Sequence, residues 1–480
     1  MRIIYLDIDC LRPDHLGCYG YSRPTSPAID TIAADGARFN RYYCQSSPCL
    51  PSRTGLVSGR FGIRNGVVSN LGSGAEFRLK TRHYGGPKPE NEMFPRLLRS
   101  AKYDTYCFSN FADRHSALWF MYGWSEFHTP NLKGGAETAE EVNACVLPWL
   151  KRNATRENYY LHINYWDAHR CYKMEASWAD RFATYPVDLA WPDEAAIEAH
   201  QQISGPFTAN RQFPDNVSPY PLMPGAVRTR ADFELMITGY DAAIAYIDHH
   251  IAQVFDVLTD AGVFEDTAII ISGDHGDAFG EHGIYSDHVC ADECIHRVPL
   301  IIKWPGVSRP SSSDALLYNV DFPATVCDIL GIEQPADWDA TSFKKQVAGE
   351  GGGGHEYLVW DHGLYNVQRA VRSREHLLMQ TYDDIGYNFD ATELYDMAKD
   401  PYQTNNIAAD APETVRTLTA VQKDWEEEQM KNDDEVDPLQ KILKSRAGGR
   451  PGNPDSLSNG SYLLIHTGDA HSSSSRLPAH

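Results

Sequence analysis

The chain has 480 residues, 42% apolar and 22% charged, a composition that excludes a disordered or fibrous protein and leaves room for a large core. Its 65 acidic and 43 basic residues give a formal charge of −22, which argues against non-specific nucleic-acid binding and against attachment to an anionic membrane surface. No run of about 18 uncharged apolar residues occurs, and the apolar stretch after Met1 meets Asp7 too soon for a signal peptide, so the sequence predicts no membrane span and a cytoplasmic location. Ten cysteines spread without a small-scaffold rhythm read as reduced thiols.

Arg2 to Ile8, nearly continuous in Ile, Tyr and Leu, reads as a parallel strand covered on both faces. Thr267 to Ile271 and Val298 to Ile302 read as two more of the same kind, with Pro299 expected near a strand end. The first runs into Asp9 and the second into Asp274-His275; ligands of open α/β sheets bind beyond the carboxyl ends of strands, so these acids are expected to share one site. Further strands are expected at Asp104 to Phe108 and Tyr159 to Ile163. Ile237, Ile244, Ile247, Ile251, Val254 and Leu258 mark one long amphipathic helix that ends near Gly262. The alternation of strands and helices predicts an α/β domain over residues 1–350.

The glycine run at 349–354 predicts a break. Beyond it lies a subdomain at 355–440, with short strands near Tyr357 to Trp360, Gln368 to Arg372 and His376 to Gln380. A helix from Pro412 to Met430 presents Leu418, Val421 and Trp425 to that sheet. Residues 441–480 read as a tail, with the apolar patch Tyr462 to Ile465 suited to an arm that reaches a second copy.

The densest chemistry lies in Ser47-Pro48-Cys49-Leu50-Pro51-Ser52-Arg53-Thr54-Gly55-Leu56-Val57-Ser58-Gly59-Arg60. Pro51 fits a first helical turn, which puts Cys49 at the helix mouth, where free N–H groups and the dipole favour an anion. Arg53, one turn on, adds a fixed planar cation. Asp9, Asp274 and His275 at neighbouring strand ends suit a divalent cation.

That string resembles the signature of the type I, formylglycine-dependent sulfatases of the alkaline phosphatase-like superfamily, with every fixed position of Cys-x-Pro-Ser-Arg and Leu-x-Ser/Thr-Gly-Arg present. Asp9-Cys10-Leu11-Arg12-Pro13 resembles the family's opening Asp-Asp-Leu-Arg-Pro segment, Gly273 to Gly283 its second metal loop, and Glu393-Leu394-Tyr395-Asp396 its C-terminal sheet signature. The resemblance implies a large, mostly parallel mixed sheet flanked by helices, plus a smaller C-terminal domain with a short antiparallel sheet and a helix. It implies a formylglycine made from Cys49 by a maturation enzyme, with Arg53 as its positioning and charge-stabilising partner. A divalent metal follows at Asp9, Asp274, His275 and Cys49, calcium first, with manganese or magnesium as alternatives.

The sequence departs from the family pattern at several places. Cys10 stands where a second metal-binding Asp is usual, and the resemblance gives nearby Asp7 no role. Asn164 to Tyr172 is similar to the family's Pro-His-x-Pro loop without its prolines, and His169 takes the place of the histidine that contacts the transferred group. The lysine expected after Gly283 is Asp287, followed by His288. A protonated His288 is the expected replacement, while Asp287 raises its pKa or faces a cationic part of the substrate. His115 is the substitute for a second missing Lys-His pair.

Together these features predict sulfate-ester hydrolysis, with sulfated sugars as the usual substrates. The alternatives are a phosphonate monoester or phosphodiester hydrolase of the same superfamily, and a non-catalytic anion-binding protein with an unmodified Cys49. A structural zinc at His288, Cys290, Cys294 and His296 is disfavoured by irregular spacing, and Asp14 and His15 read as turn and surface residues.

Overall fold

Ile3 and Tyr5 belong to one buried apolar cluster and Ile4, Leu6 and Ile8 to another. Alternate side chains of a strand leave on opposite sides, so this strand lies inside a sheet that is covered on both faces. The computed structural model describes residues 1–78, 93–431 and 435–447. Its strands in chain order are β1 (Arg2–Ile8), β2 (Ala37–Tyr43), β3 (Ser46–Ser47), β4 (Asp104–Phe108), β5 (Glu126–His128), β6 (Tyr159–Tyr165), β7 (Thr267–Gly273), β8 (Ala278–Phe279), β9 (Tyr285–Asp287) and β10 (Arg297–Lys303). They continue with β11 (Ser311–Ser313), β12 (Leu317–Tyr318), β13 (Leu358–His362), β14 (Val367–Arg372), β15 (His376–Asp383) and β16 (Thr392–Asp396).

The large sheet runs β11-β2-β10-β7-β1-β6-β4-β5, with β12 beside β2. β1 is parallel to both β6 and β7. The third expected strand, β10, is present but antiparallel to β7 and to β2, which corrects the parallel reading. A continuous apolar run reports burial on two faces and says nothing of direction. Pro299 is inside β10 rather than near its end, at a register shift between Val298 and Leu300 that accommodates its missing N–H.

One face of the sheet is covered by the long helix Arg230–Asp260 together with the helix Ala139–Asn153. The long helix starts in a capping box between Thr229 and Asp232, and the chain turns away at Gly262 with φ +68°. The other face is covered by the helices Cys49–Ser58 and Asp321–Leu330. Among the described residues no helix is long and apolar enough to cross a membrane, and all ten cysteines are free thiols.

The second sheet, β16-β15-β14-β13-β3, is antiparallel from β13 to β16. The helix Pro412–Met430 lays Leu418, Val421 and Trp425 against Val359, Val371, Leu378 and Leu394. Its outermost strand, β3, comes from the N-terminal part and pairs Ser46 and Ser47 with Asp361 and His362. Ser47 Oγ lies 2.7 Å from His362 Nδ1 and 2.9 Å from His296 Nε2, so the small sheet braces the backbone two residues before Cys49. A last helix, Pro438–Ala447, extends past position 441 and buries Leu439 and Ile442 beside Val68 and Val367. The apolar patch Tyr462 to Ile465 lies outside the described residues.

Candidate active site

The carboxyl ends of three strands are level, because Ile8 pairs with Tyr165 on one side and with Gly273 on the other. The residues that follow, Asp9-Cys10, Trp166 to His169 and Asp274-His275, therefore emerge along one edge. The helix Cys49–Ser58 points its first turn at the same edge. Pro51 sits in that turn, where its missing N–H costs no helical bond, and the helix ends on Gly59 in the left-handed region at φ +63°. Every residue of the helix is buried, and its polar groups are held internally: Ser52 Oγ donates to the Asp274 carbonyl at 2.6 Å, and Asn319 Nδ2 donates to the Ser52 carbonyl at 3.0 Å.

Arg53 gathers three carboxylates. Its Nε and Nη2 donate to the two oxygens of Asp7 at 2.7 and 3.0 Å, and Nη1 donates to Asp9 Oδ2 at 2.9 Å and to Asp274 Oδ2 at 2.6 Å. Asp7, which also faces His162 Nε2 at 3.1 Å, thus fixes the guanidinium plane and is absent from the cation-binding groups. Burial pushes every one of these acids up. For Asp9 the field of Arg53, with His169 and His275, overrides burial and holds the carboxyl well below its usual range. For Asp274 burial wins, reinforced by Asp9 and Asp7, and the carboxyl is raised. One guanidinium is not enough positive charge for three buried acids.

A divalent cation fits this deficit. Asp9, Cys49, Asp274 and His275 are all buried, and each offers one ligand atom within 4.8 Å of the others. His275 Nδ1 lies 2.9 Å from the Gly276 carbonyl, which fixes the tautomer and leaves Nε2 for the site, 3.1 Å from Cys49 Sγ and 3.4 Å from Asp274 Oδ2. Burial, with Asp9 and Asp274 adding, pushes the Cys49 thiol up well above its ordinary value, so the unmodified side chain is a protonated thiol and a poor nucleophile.

The facing wall is built from the segments that follow β4, β6, β7 and β9. His169 Nδ1 lies 2.8 Å from the Arg170 carbonyl, and its Nε2 meets Arg114 Nη2 at 3.2 Å. The Arg53 and Arg114 guanidiniums each lie 5.3 Å from the Trp166 ring centre. His288 packs on His275 with ring centres 4.3 Å apart, and its Nδ1 faces Asp277 Oδ1 at 2.7 Å. His115 is inside the same electrostatic neighbourhood, beside Arg114, Arg53, Asp9 and His169.

Comparison with known proteins bears directly on this geometry. The sulfatase family profile matches residues 2–332. This chain belongs to the sulfatase family. The C-terminal profile of N-sulphoglucosamine sulphohydrolase matches residues 280–432 of the same sulfatase. It is 24% identical to an N-acetylglucosamine-6-O-sulfatase of Bacteroides thetaiotaomicron, over 92% of this chain and 88% of that protein. It is also 24% identical to the iduronate 2-sulfatase of Homo sapiens, over 67% of this chain and 63% of that protein. Among solved structures it resembles one in complex with its substrate D-glucosamine-2-N,6-O-disulfate, with a TM-score of 0.74, 20% identity and coverage of 92% and 99%. A phosphonate monoester hydrolase from Silicibacter pomeroyi shares the fold at a TM-score of 0.67 and 18% identity, over 90% of this chain and 96% of that one. The sulfatase is thus a sulfuric ester hydrolase with the alkaline phosphatase-like fold.

Several sequence expectations for this sulfatase need correction. His288 does not replace the missing lysine as a cation, because burial and the neighbouring His275 push it down to about 3. His288 Nδ1 faces Asp277 Oδ1, while Asp287, whose charge raises His288 against burial as expected, accepts the His288 backbone N–H at 2.8 Å and faces Arg170 Nη1 at 3.9 Å. His115 is held neutral by burial, with Arg114 and Arg53 adding to the effect. His296, of the grouping 288, 290, 294 and 296 that the spacing already disfavours for zinc, meets Cys44 O and Ser47 Oγ and stacks on Trp360. His15 is a core residue, 2.7 Å from Asp241, and not a surface one.

Sequence reading missed Arg114 and Asp277. Arg114 immediately precedes His115, but no spacing motif marks it, and only the turn after β4 brings it to His169. Asp277 is in the quoted metal loop, yet nothing in that segment singles it out from Asp274.

Proposed function

We propose that this sulfatase removes the sulfate ester from a sulfated saccharide. The observation that carries the reading is the convergence of Cys49 with Asp9, Asp274, His275 and Arg53 at the level ends of β1 and β7. The saccharide rests on the relatives, named for N-acetylglucosamine, hexuronate and N-acetylgalactosamine sulfates. A cleft that starts at His169 supports it, lined by Arg114, Glu137, Trp166, Asp167 and Lys173, a mixture of ring surface and hydrogen-bonding groups that suits a sugar.

With a divalent cation at Asp9, Asp274, His275 and the converted Cys49, the centre gains a Lewis acid and, from formylglycine, an aldehyde hydrate whose hydroxyl is the nucleophile toward sulfur. Arg53 acts as a positioning residue: it fixes the carboxylates that hold the cation and offsets their charge. Arg114, beside His169, holds the sulfuryl oxygens in the place of the missing lysine, where a guanidinium is preorganised for a planar face of an oxyanion. His169, oriented by the Arg170 carbonyl, takes up a proton at Nε2 and delivers it to the departing sugar oxygen. His288, held neutral and oriented by Asp277, closes the wall opposite Cys49. A formylglycine-generating enzyme in the host is the maturation partner.

The test is a rate comparison of matured protein on sulfate, phosphonate and phosphodiester model esters and on a panel of sulfated amino sugars and uronates. The reading predicts fastest turnover on a sulfate ester and sulfate release from at least one sugar. Preference for phosphonate or phosphodiester esters would replace it with the phosphonate hydrolase reading, and no turnover by protein with converted Cys49 would leave only anion binding.

A further inference from the structure

Next to His169 the chain buries a cation, Arg170. It is 5% exposed, and its guanidinium lies between the rings of Phe207 and Phe213, 4.5 and 5.3 Å from their centres. Nη2 donates to the Gln212 carbonyl. Nε and Nη1 have no hydrogen-bond partner among the described residues, and the carboxylate that faces the group, Asp287, places Oδ2 3.9 Å from Nη1. Packing does not account for a charge in that place, because apolar side chains of similar volume often serve a buried position as well as an ion pair or better.

Both ends of this residue lead to a histidine of the facing wall. Its carbonyl lies 2.8 Å from His169 Nδ1, a spacing that fixes Nδ1 as the donor and leaves Nε2 to take up and give the catalytic proton. At the side-chain end, Asp287 Oδ1 accepts the His288 backbone N–H at 2.8 Å. The two imidazoles stand with ring centres 5.7 Å apart. The large sheet does not set that distance: His169 follows β6, whereas β9 belongs to a separate two-stranded sheet with β8. A third segment joins them. Gln212, fully buried, takes the Arg170 guanidinium on its carbonyl and the Ser286 hydroxyl on its Oε1 at 2.9 Å. The guanidinium therefore stands where residues 169–172, 207–213 and 285–288 meet.

We propose that Arg170 is a positioning residue for departure of the alcohol. Its guanidinium, held by Gln212 and Asp287, keeps its own carbonyl on His169 Nδ1 and keeps His288 in the wall, so that the Nε2 proton of His169 is aimed at the ester oxygen. As the sulfur–oxygen bond breaks, its electron pair goes to that oxygen and the Nε2 proton joins it, which leaves a neutral imidazole and a neutral alcohol. Without that alignment the oxygen departs as an anion, at a cost that grows with its basicity. The proposal rests on the reading of His169 as the proton donor.

The test compares matured full chains on phenyl sulfate, which has a poor leaving group, and 4-nitrophenyl sulfate, which has a good one. Arg170→Gln is expected to lower kcat about 10^2-fold on the first and less than about tenfold on the second, with KM near its original value. Asp287→Asn acts in the same direction with a smaller loss, and the double variant loses no more on phenyl sulfate than Arg170→Gln alone. A loss of equal size on both esters, which is what a merely structural role produces, overturns the proposal, and so do unchanged rates or losses that multiply in the double variant. Should Arg170→Gln fail to fold, Asp287→Asn decides by its selectivity between the two esters. His169→Ala separates this proposal from the reading beneath it. If that variant is selective and the Arg170 and Asp287 variants are not, the positioning role alone falls; if it is not selective, the assignment of His169 as proton donor falls and takes the proposal with it.

Discussion

The two walls of the site are built differently. The wall of Asp9, Cys49, Arg53, Asp274 and His275 stands on rigid elements, two level strand ends and one fully buried helix, and its side chains hold one another in place through Arg53. The facing wall of Arg114, His169, Asp277 and His288 comes from the segments after β4, β6, β7 and β9, outside the large sheet and the buried helix. The reacting end of a sulfate ester is the same in every substrate, so its machinery belongs on the rigid wall; what the ester is attached to varies, and loops can vary with it. The departures from the family pattern follow this division. They leave Cys49 and Arg53 untouched and collect at the segment 164–172, at Asp287 and around Arg114, with Cys10 at the end of β1 as the exception.

The sharpest way to break the comparison is to remove the centre of the rigid wall. Cys49→Ala should lower kcat by about 10^4-fold or more while substrate still binds, and Cys49→Ser should release product in a single burst and then stall, because a serine offers no second hydroxyl to expel sulfate; pre-steady-state assays read both. Steady turnover by the serine variant would contradict the role given to this position. Arg53→Ala leaves three buried carboxylates without their counter-charge and should cost about 3–5 kcal/mol of stability, read by chemical denaturation, along with most activity. Arg53→Lys should rescue little, since an ammonium cannot make the paired bonds to Asp7.

The loop wall should respond less and more selectively. Arg114→Ala is expected to lower kcat by about 10^2-fold, with partial recovery in Arg114→Lys, whereas loss of fold or an unchanged rate would place this residue outside the anion site. Chelation followed by dialysis should abolish turnover and lower Tm, with both restored by a divalent cation; full activity after verified metal loss would contradict the cation centre. Smallest in its effect on catalysis is Leu418→Ala, far from the edge where the strands end. It should destabilise the fold by about 2–3 kcal/mol through the cavity left under the C-terminal helix and leave kcat near its original value.

This division also sets what could be read from sequence. β1, β7, the long helix and the Pro412–Met430 helix announce themselves through apolar period and capping, and the acids at the strand ends follow from the fold rule alone. The direction of β10 did not, because burial on both faces looks the same in either direction. Nor did Asp7 as the partner of Arg53, since the two are 46 positions apart and only the packing of the helix against β1 joins them. Protonation was the least legible feature. His288 reads as a replacement cation in sequence, but the burial that keeps it neutral is a property of the folded loop.

The central claim is that Cys49 is not a thiol in the working enzyme. Mass spectrometry of the peptide that contains it, from active protein made in the native host, tests that most directly. The account predicts the lower mass of the aldehyde or its trapped hydrazone; an intact thiol throughout a preparation that turns over sulfate esters would contradict it.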